Sequence, residues 1–173
     1  MPLQMVPVLS KADIAKKVST LAQRISKDYA HKEVVVVGIL KGSFIFLADL
    51  VRELTIPVQI DFVRLASYGS DTASSGKVQL TKEIELDLRN RHVLVVEDIV
   101  DSGITIAYLL DYLRQFRPES VKVCAFINKT ERREVEIPID YVGHVVEHGF
   151  LVGYGLDFDD KYRALPEIFH LRQ

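Results

Sequence analysis

The chain has a single cysteine, Cys124, among its 173 residues. That excludes an internal disulfide. The residue lies in the apolar run Val121–Ile127, where a buried strand cysteine in a reducing compartment is expected. No apolar stretch approaches the roughly 20 residues of a membrane span. The opening residues, Met-Pro-Leu-Gln-Met-Val-Pro, lack the basic start and apolar core of a secretory signal, so a cytoplasmic protein is expected. Neither sign of charge dominates: 22 basic side chains face 24 acidic ones, a formal net of -2. A nucleic-acid binder would usually carry a basic face, and none is evident here. No repeat, low-complexity tract or linker interrupts the chain, whose length suits one domain with a sizeable core.

What is present is an alternation of strand and helix signals. Ser10 precedes a helical pattern over 11–29, with Ile14, Val18, Leu21, Ala22 and Ile25 on one face. Val34–Leu40 is a β-branched run suited to a buried parallel strand. A second helical pattern carries Phe44, Leu47, Ala48, Val51 and Leu54, and Val58–Leu65 reads as a strand. Ser67–Lys77 is rich in Ser, Gly and Asp and reads as a mobile loop. Further strands are expected at 94–96, 121–127, 141–146 and 150–152, with a helix ending near Phe116. This order predicts an α/β fold with a mainly parallel central sheet.

The most informative stretch is 93–105, Val-Leu-Val-Val-Glu-Asp-Ile-Val-Asp-Ser-Gly-Ile-Thr. An apolar strand ends on two adjacent acids, Glu97 and Asp98. A loop with Asp101, Ser102, Gly103 and Thr105 follows, then a helix. A glycine and hydroxyls at a helix N-terminus make a phosphate cradle. Acids beside it would repel the phosphate unless a cation lies between, which points to a sugar phosphate with Mg²⁺. An ordinary strand-to-helix turn explains one acid and one hydroxyl as a cap. It does not explain Glu97 and Asp98 together.

This segment resembles the phosphoribosyl-pyrophosphate motif of type I phosphoribosyltransferases. Its Glu-Asp pair is similar to the purine-salvage branch, the hypoxanthine-guanine phosphoribosyltransferases, and the likeness spans nearly the whole chain. The resemblance implies a type I phosphoribosyltransferase fold in residues 1–173, a central sheet flanked by helices. It also implies a small hood built from the N-terminal residues and about 138–173, and a lid loop at about 66–79. The implied reaction is Mg²⁺-dependent transfer of 5-phosphoribosyl from its diphosphate to a 6-oxopurine, by a homodimer or homotetramer, with no nucleic-acid or membrane partner.

Site roles follow from the same resemblance. Asp101, Ser102, Gly103, Ile104 and Thr105 would hold the 5′-phosphate, with Asp101 as general base near N7 of the purine. Glu97 and Asp98 would hold the ribose hydroxyls, partly through Mg²⁺. Lys41, Gly42 and Ser43 match the diphosphate loop, in which the family has a cis peptide; alone, they read more readily as a turn with a surface lysine. Ser67 and Tyr68 would lie at the hinge of the lid, and Arg163 would bind the diphosphate bidentately. Lys129 matches the lysine that donates to the purine C6 oxygen, and Phe150 the ring that stacks on the base. Leu151, where many members carry valine, would offer backbone groups to the purine edge. Asp157 belongs to the purine set and would ligate a second Mg²⁺. A xanthine-preferring enzyme and a non-catalytic nucleotide sensor are the alternatives.

Three other patterns fail on context. His144-Val-Val-Glu-His148 imitates a zinc-protease motif, but in a strand its histidines stand roughly 13 Å apart. Gly69 to Lys77 has the wrong spacing for a P-loop, and Gly153-Tyr-Gly155 lacks the third glycine of a dinucleotide fingerprint.

Overall fold

Alternation within β2 (Val34–Leu40) organises the molecule. Val34 and Val36 enter one core and Val35 and Val37 another, because successive strand residues face opposite sides of a sheet. Both sets are fully buried, so helices must cover both faces. At about 1.5–3 kcal/mol for each buried aliphatic side chain, such strands supply much of the fold's stability.

In a computed structural model, residues 3–68 and 77–172 are described. Six strands form the main sheet in the order β4-β3-β2-β5-β6-β7, comprising β2, β3 (Val58–Tyr68), β4 (Lys77–Lys82), β5 (His92–Val100), β6 (Ser120–Lys129) and β7 (Tyr141–Val146). All neighbours are parallel except β3 and β4. Helices α1 (Lys11–Asp28) and α2 (Phe44–Glu53) pack on one face, and α3 (Ile104–Arg114) on the other. The expected cap at Ser10 is present: its hydroxyl accepts the Asp13 amide, and the Asp13 carboxylate accepts the Ser10 amide.

A separate three-stranded antiparallel sheet joins β1 (Gln4–Leu9), β9 (Ile168–Arg172) and β8 (Leu151–Val152) in the order β1-β9-β8. Neither β1 nor β9 was expected from sequence. The residues at 141–146 extend the main sheet instead, through Cys124↔Tyr141 to Lys129↔Val146.

Two expected segments change their limits. Strand β5 continues through Glu97 and Asp98 to Val100, so the acids lie inside the strand. It can do so because β6 still pairs beside it, through Glu97↔Ala125 and Val100↔Asn128. On the other side β2 leaves after Gly38↔Val96. The expected loop at 67–77 also shrinks: Ser67 and Tyr68 end β3 and pair with Val78 and Lys77 of β4. The rest of the expected lid, 69–76, lies outside the described residues, as do the side chains of Ser67 and Tyr68.

Strand order reverses at β2 and β5. The chain leaves β2 through α2 towards β3, and leaves β5 through α3 towards β6, on the opposite face. A crevice between the two departing loops is where open α/β sheets bind ligands.

Candidate active site

The loop between β5 and α3 is braced from outside. Gly103 has φ +85°, and a side-chain carbon on it would overlap the Val135 carbonyl. The Ser102 carbonyl accepts the amides of Glu134 (2.9 Å) and Val135 (3.0 Å), and its hydroxyl accepts the Ile104 amide (3.3 Å). The N-cap residue of α3, Gly103, has no side chain of its own to offer the helix. A cavity of about 120 Å³ opens there, lined by Glu97, 99–103, Thr105 and Ile106. It lies where the glycine and hydroxyl pattern led a phosphate cradle to be expected.

The loop after β2 meets it across the crevice. The Leu40–Lys41 peptide is cis. A side chain on Gly42 would overlap the Asp98 carboxylate, so glycine permits the close approach of the two loops. Ser43 serves the turn itself: it is fully buried, and both its hydroxyl (2.7 Å) and its amide (3.3 Å) donate to the Ile39 carbonyl. Its expected diphosphate contact is therefore not available as it stands. Lys41 reaches Asp160 (3.1 Å), which also pairs with Arg163 (3.3 Å), while Arg163 binds Asp157 (3.1 Å). The two cations expected to bind diphosphate thus lie together, held by two acids. The Lys41 and Arg163 side chains hold the Asp160 carboxyl below its usual range. Exposed pairs of this kind are weak and exchange readily for a stronger anion.

A second cavity, about 190 Å³, adjoins on the β6 side. Asp98, Ile99, Asp101, Lys129, Arg132, 149–151, Leu156 and Asp157 line it. Lys129 ends β6 and is almost fully buried, with its ammonium 3.5 Å from Asp101 Oδ2 and 3.4 Å from Glu131 Oε2. Phe150 is 46% exposed and meets Phe158 edge to face at 5.6 Å. Asp101 borders both cavities, and its Oδ1 is buried without a hydrogen-bond partner among the described residues. An orphaned acceptor of this kind costs stability unless a ligand fills the place.

Glu97 is nearly buried, and that burial, followed by the charge of Asp98, holds its carboxyl well above the usual range. Among the described residues no group of three or more His, Cys, Asp or Glu side chains stands ready for a metal ion. His144 lies in β7 but His148 lies beyond its end, so the two do not share one strand as the 13 Å separation assumed. Cys124 is fully buried, as expected. Among the described residues no helix is long and apolar enough to cross a membrane.

Sequence reasoning missed Arg133. Its guanidinium donates to the carbonyls of Asp101 (2.8 Å), Val100 (3.4 Å) and Lys129 (3.0 Å), and to Asn128 Oδ1 (2.6 Å). It therefore fastens the loop between β5 and α3 to the end of β6. It sits in a Glu-Arg-Arg-Glu run, which reads as a solvated face, so no local signal marks it. A larger cavity, about 550 Å³ between α1, α2 and 164–166, gathers none of the expected site residues.

The fold and its paired loops are those of a phosphoribosyl transferase domain, and the family model of that description matches residues 8–159. The chain belongs to this family. It is 44% identical over 163 residues to a hypoxanthine-guanine phosphoribosyltransferase of Aquifex aeolicus, covering 94% of this chain and 92% of the relative. It is 39% identical over 164 residues to a hypoxanthine phosphoribosyltransferase of Haemophilus influenzae, covering 93% and 92%. The crystal structure of a hypoxanthine-guanine phosphoribosyltransferase from Bacillus anthracis superposes with a TM-score of 0.91 at 38% identity, over 99% of this chain and all of that one.

Proposed function

We propose that this chain transfers the 5-phosphoribosyl group from 5-phosphoribosyl diphosphate to N9 of hypoxanthine or guanine, releasing pyrophosphate and the nucleoside monophosphate. The observation that carries this reading is the position of Asp101, with one unpartnered oxygen, between a phosphate-sized cavity and a base-sized one. The names of the relatives supply the purine.

Displacing diphosphate from C1 of ribose builds positive charge on the sugar and negative charge on the leaving group. Catalysis is then mainly positioning and electrostatic stabilisation. The 101–105 loop holds the 5′-phosphate at the α3 N-terminus. Lys41 and Arg163 exchange Asp160 and Asp157 for diphosphate oxygens. Lys129 donates to the C6 oxygen of the base, a contact that the amino group of adenine cannot accept, so adenine leaves a buried polar group unpaired. Phe150 covers the ring, and Asp101 takes the purine proton.

Mg²⁺ suits the carboxylates present: Glu97 and Asp98 side by side, and Asp157 as a ligand of a second ion, would offer the oxygens that a hard cation prefers, and a buried acid beside a second acid is a natural place for positive charge. When bound, the cation supplies charge neutralisation at the sugar hydroxyls and the diphosphate. Self-association is supported by exposed apolar side chains such as Phe44 and Ile60, and a reducing cytoplasm by the lone buried Cys124.

A spectrophotometric assay with 5-phosphoribosyl diphosphate, Mg²⁺ and each of hypoxanthine, guanine, xanthine and adenine tests the reading. Turnover of hypoxanthine or guanine that chelation abolishes is expected. Turnover of xanthine alone, or binding of the diphosphate with no purine turned over, would overturn it.

A further inference from the structure

A single oxygen, Glu131 Oε2, lies 3.4 Å from the Lys129 ammonium and 3.2 Å from the Gly149 amide nitrogen, which donates to it. These partners come from different elements. Lys129 ends β6 in the main sheet, and Gly149 opens the turn into β8 of the small sheet. Gly149 has φ +101°, and a side-chain carbon there would overlap the His170 ring, so its other side is closed by β9. We infer that Glu131 is a positioning residue for the purine, locking the lysine and the 149–151 turn into one grip on the base edge.

This rests on the purine reading above and deepens it. Lys129 would meet the base at its C6 oxygen, and Phe150 and Leu151 would meet its face and edge. Both borders of the 190 Å³ cavity therefore hang on one carboxylate. Among the described residues Lys129 has two carboxylate partners at nearly equal distance, Glu131 and Asp101. Without Glu131 the ammonium is left to Asp101 alone, the group assigned to take the purine proton. Glu131 thus also keeps the lysine from closing on the base catalyst. The Gly149 amide, with help from Lys129 and Arg132, holds the Glu131 carboxyl below its usual range, so it is ionised when purine arrives. Its side chain is 45% exposed, so its removal leaves the core intact.

Two variants separate the two contacts. Glu131→Gln keeps an acceptor for Gly149 and loses the charge opposite Lys129, whereas Glu131→Ala loses both. The KM for hypoxanthine should rise about threefold in Glu131→Gln and about tenfold in Glu131→Ala, by the loss of charge-assisted hydrogen bonds. The KM for 5-phosphoribosyl diphosphate and the thermal midpoint should stay close to those of the parent, which a general structural defect would not allow. An active parent whose Glu131→Ala variant keeps its purine KM, or raises both KM values alike, overturns the role of Glu131 alone. A parent that turns over no purine overturns the functional reading and this role with it.

Discussion

The carbonyl oxygen of Gly42 lies against the Cα of Gly155, with no space between them for a side-chain carbon. Gly155 also has φ +97°, a conformation that disfavours any other residue. The loop after β2 is thus seated on the segment that carries Asp157, Asp160 and Arg163. Gly155→Ala should push the loop away and raise the KM for 5-phosphoribosyl diphosphate by about tenfold or more, with a smaller change for the purine. Steady-state kinetics with each substrate varied in turn will read the difference.

Asp101→Asn removes the proposed base while preserving shape and the contact to Lys129. kcat should fall by about 100- to 10,000-fold, the usual contribution of general base catalysis, while the diphosphate KM moves little. Equal losses in kcat and in diphosphate binding would assign Asp101 to phosphate binding instead.

Asp61 anchors the segment that follows β4 to the middle of β3. Its buried carboxylate accepts the amides of Phe62 (2.7 Å), Glu85 (2.7 Å) and Leu86 (2.9 Å), with the Lys82 ammonium at 3.5 Å. Burial alone would raise its pKa, but the three amides and Lys82 outweigh burial and lower it. The folded state therefore binds this proton less tightly than the unfolded chain. The resulting stability is full above about pH 4 and is lost as pH falls below that. Asp61→Asn should cost about 1–3 kcal/mol near neutrality and flatten the acid decline, as read by urea unfolding across pH.

Burial also pushes the Cys124 thiol far above its ordinary pKa. Thiolate is the reactive form, so Cys124 should resist alkylation in the native protein and react once denaturant opens the core. Labelling followed by mass measurement distinguishes the two.

The central sheet was legible in the sequence because strands buried on both faces are runs of apolar residues: Val34–Leu40 and Val121–Ile127 need no partner to be seen. The 97–105 cradle was legible because its acids, glycine and hydroxyls are crowded into one strand-to-helix step. Strand β4 was not, since it is an edge strand alternating exposed and half-buried residues, and its lysines read as loop. Strands β1 and β9 are short, and each is meaningful only through the other. Glu131 and Arg133 were invisible for a different reason. Their roles depend on partners in other elements, and a run of four charges in sequence does not say which one turns inward.

The small sheet pairs Gln4 with Arg172, so nearly the whole chain separates its first strand from that strand's partner. During synthesis β1 must wait, unpaired, while the parallel sheet behind it forms through much closer contacts. Strand β8, which carries Leu151 and follows Phe150, pairs with β9 as well. The side of the cleft proposed to hold the purine should therefore be the last part assembled, and a half-made chain can hold a finished loop between β5 and α3 with its facing wall still missing.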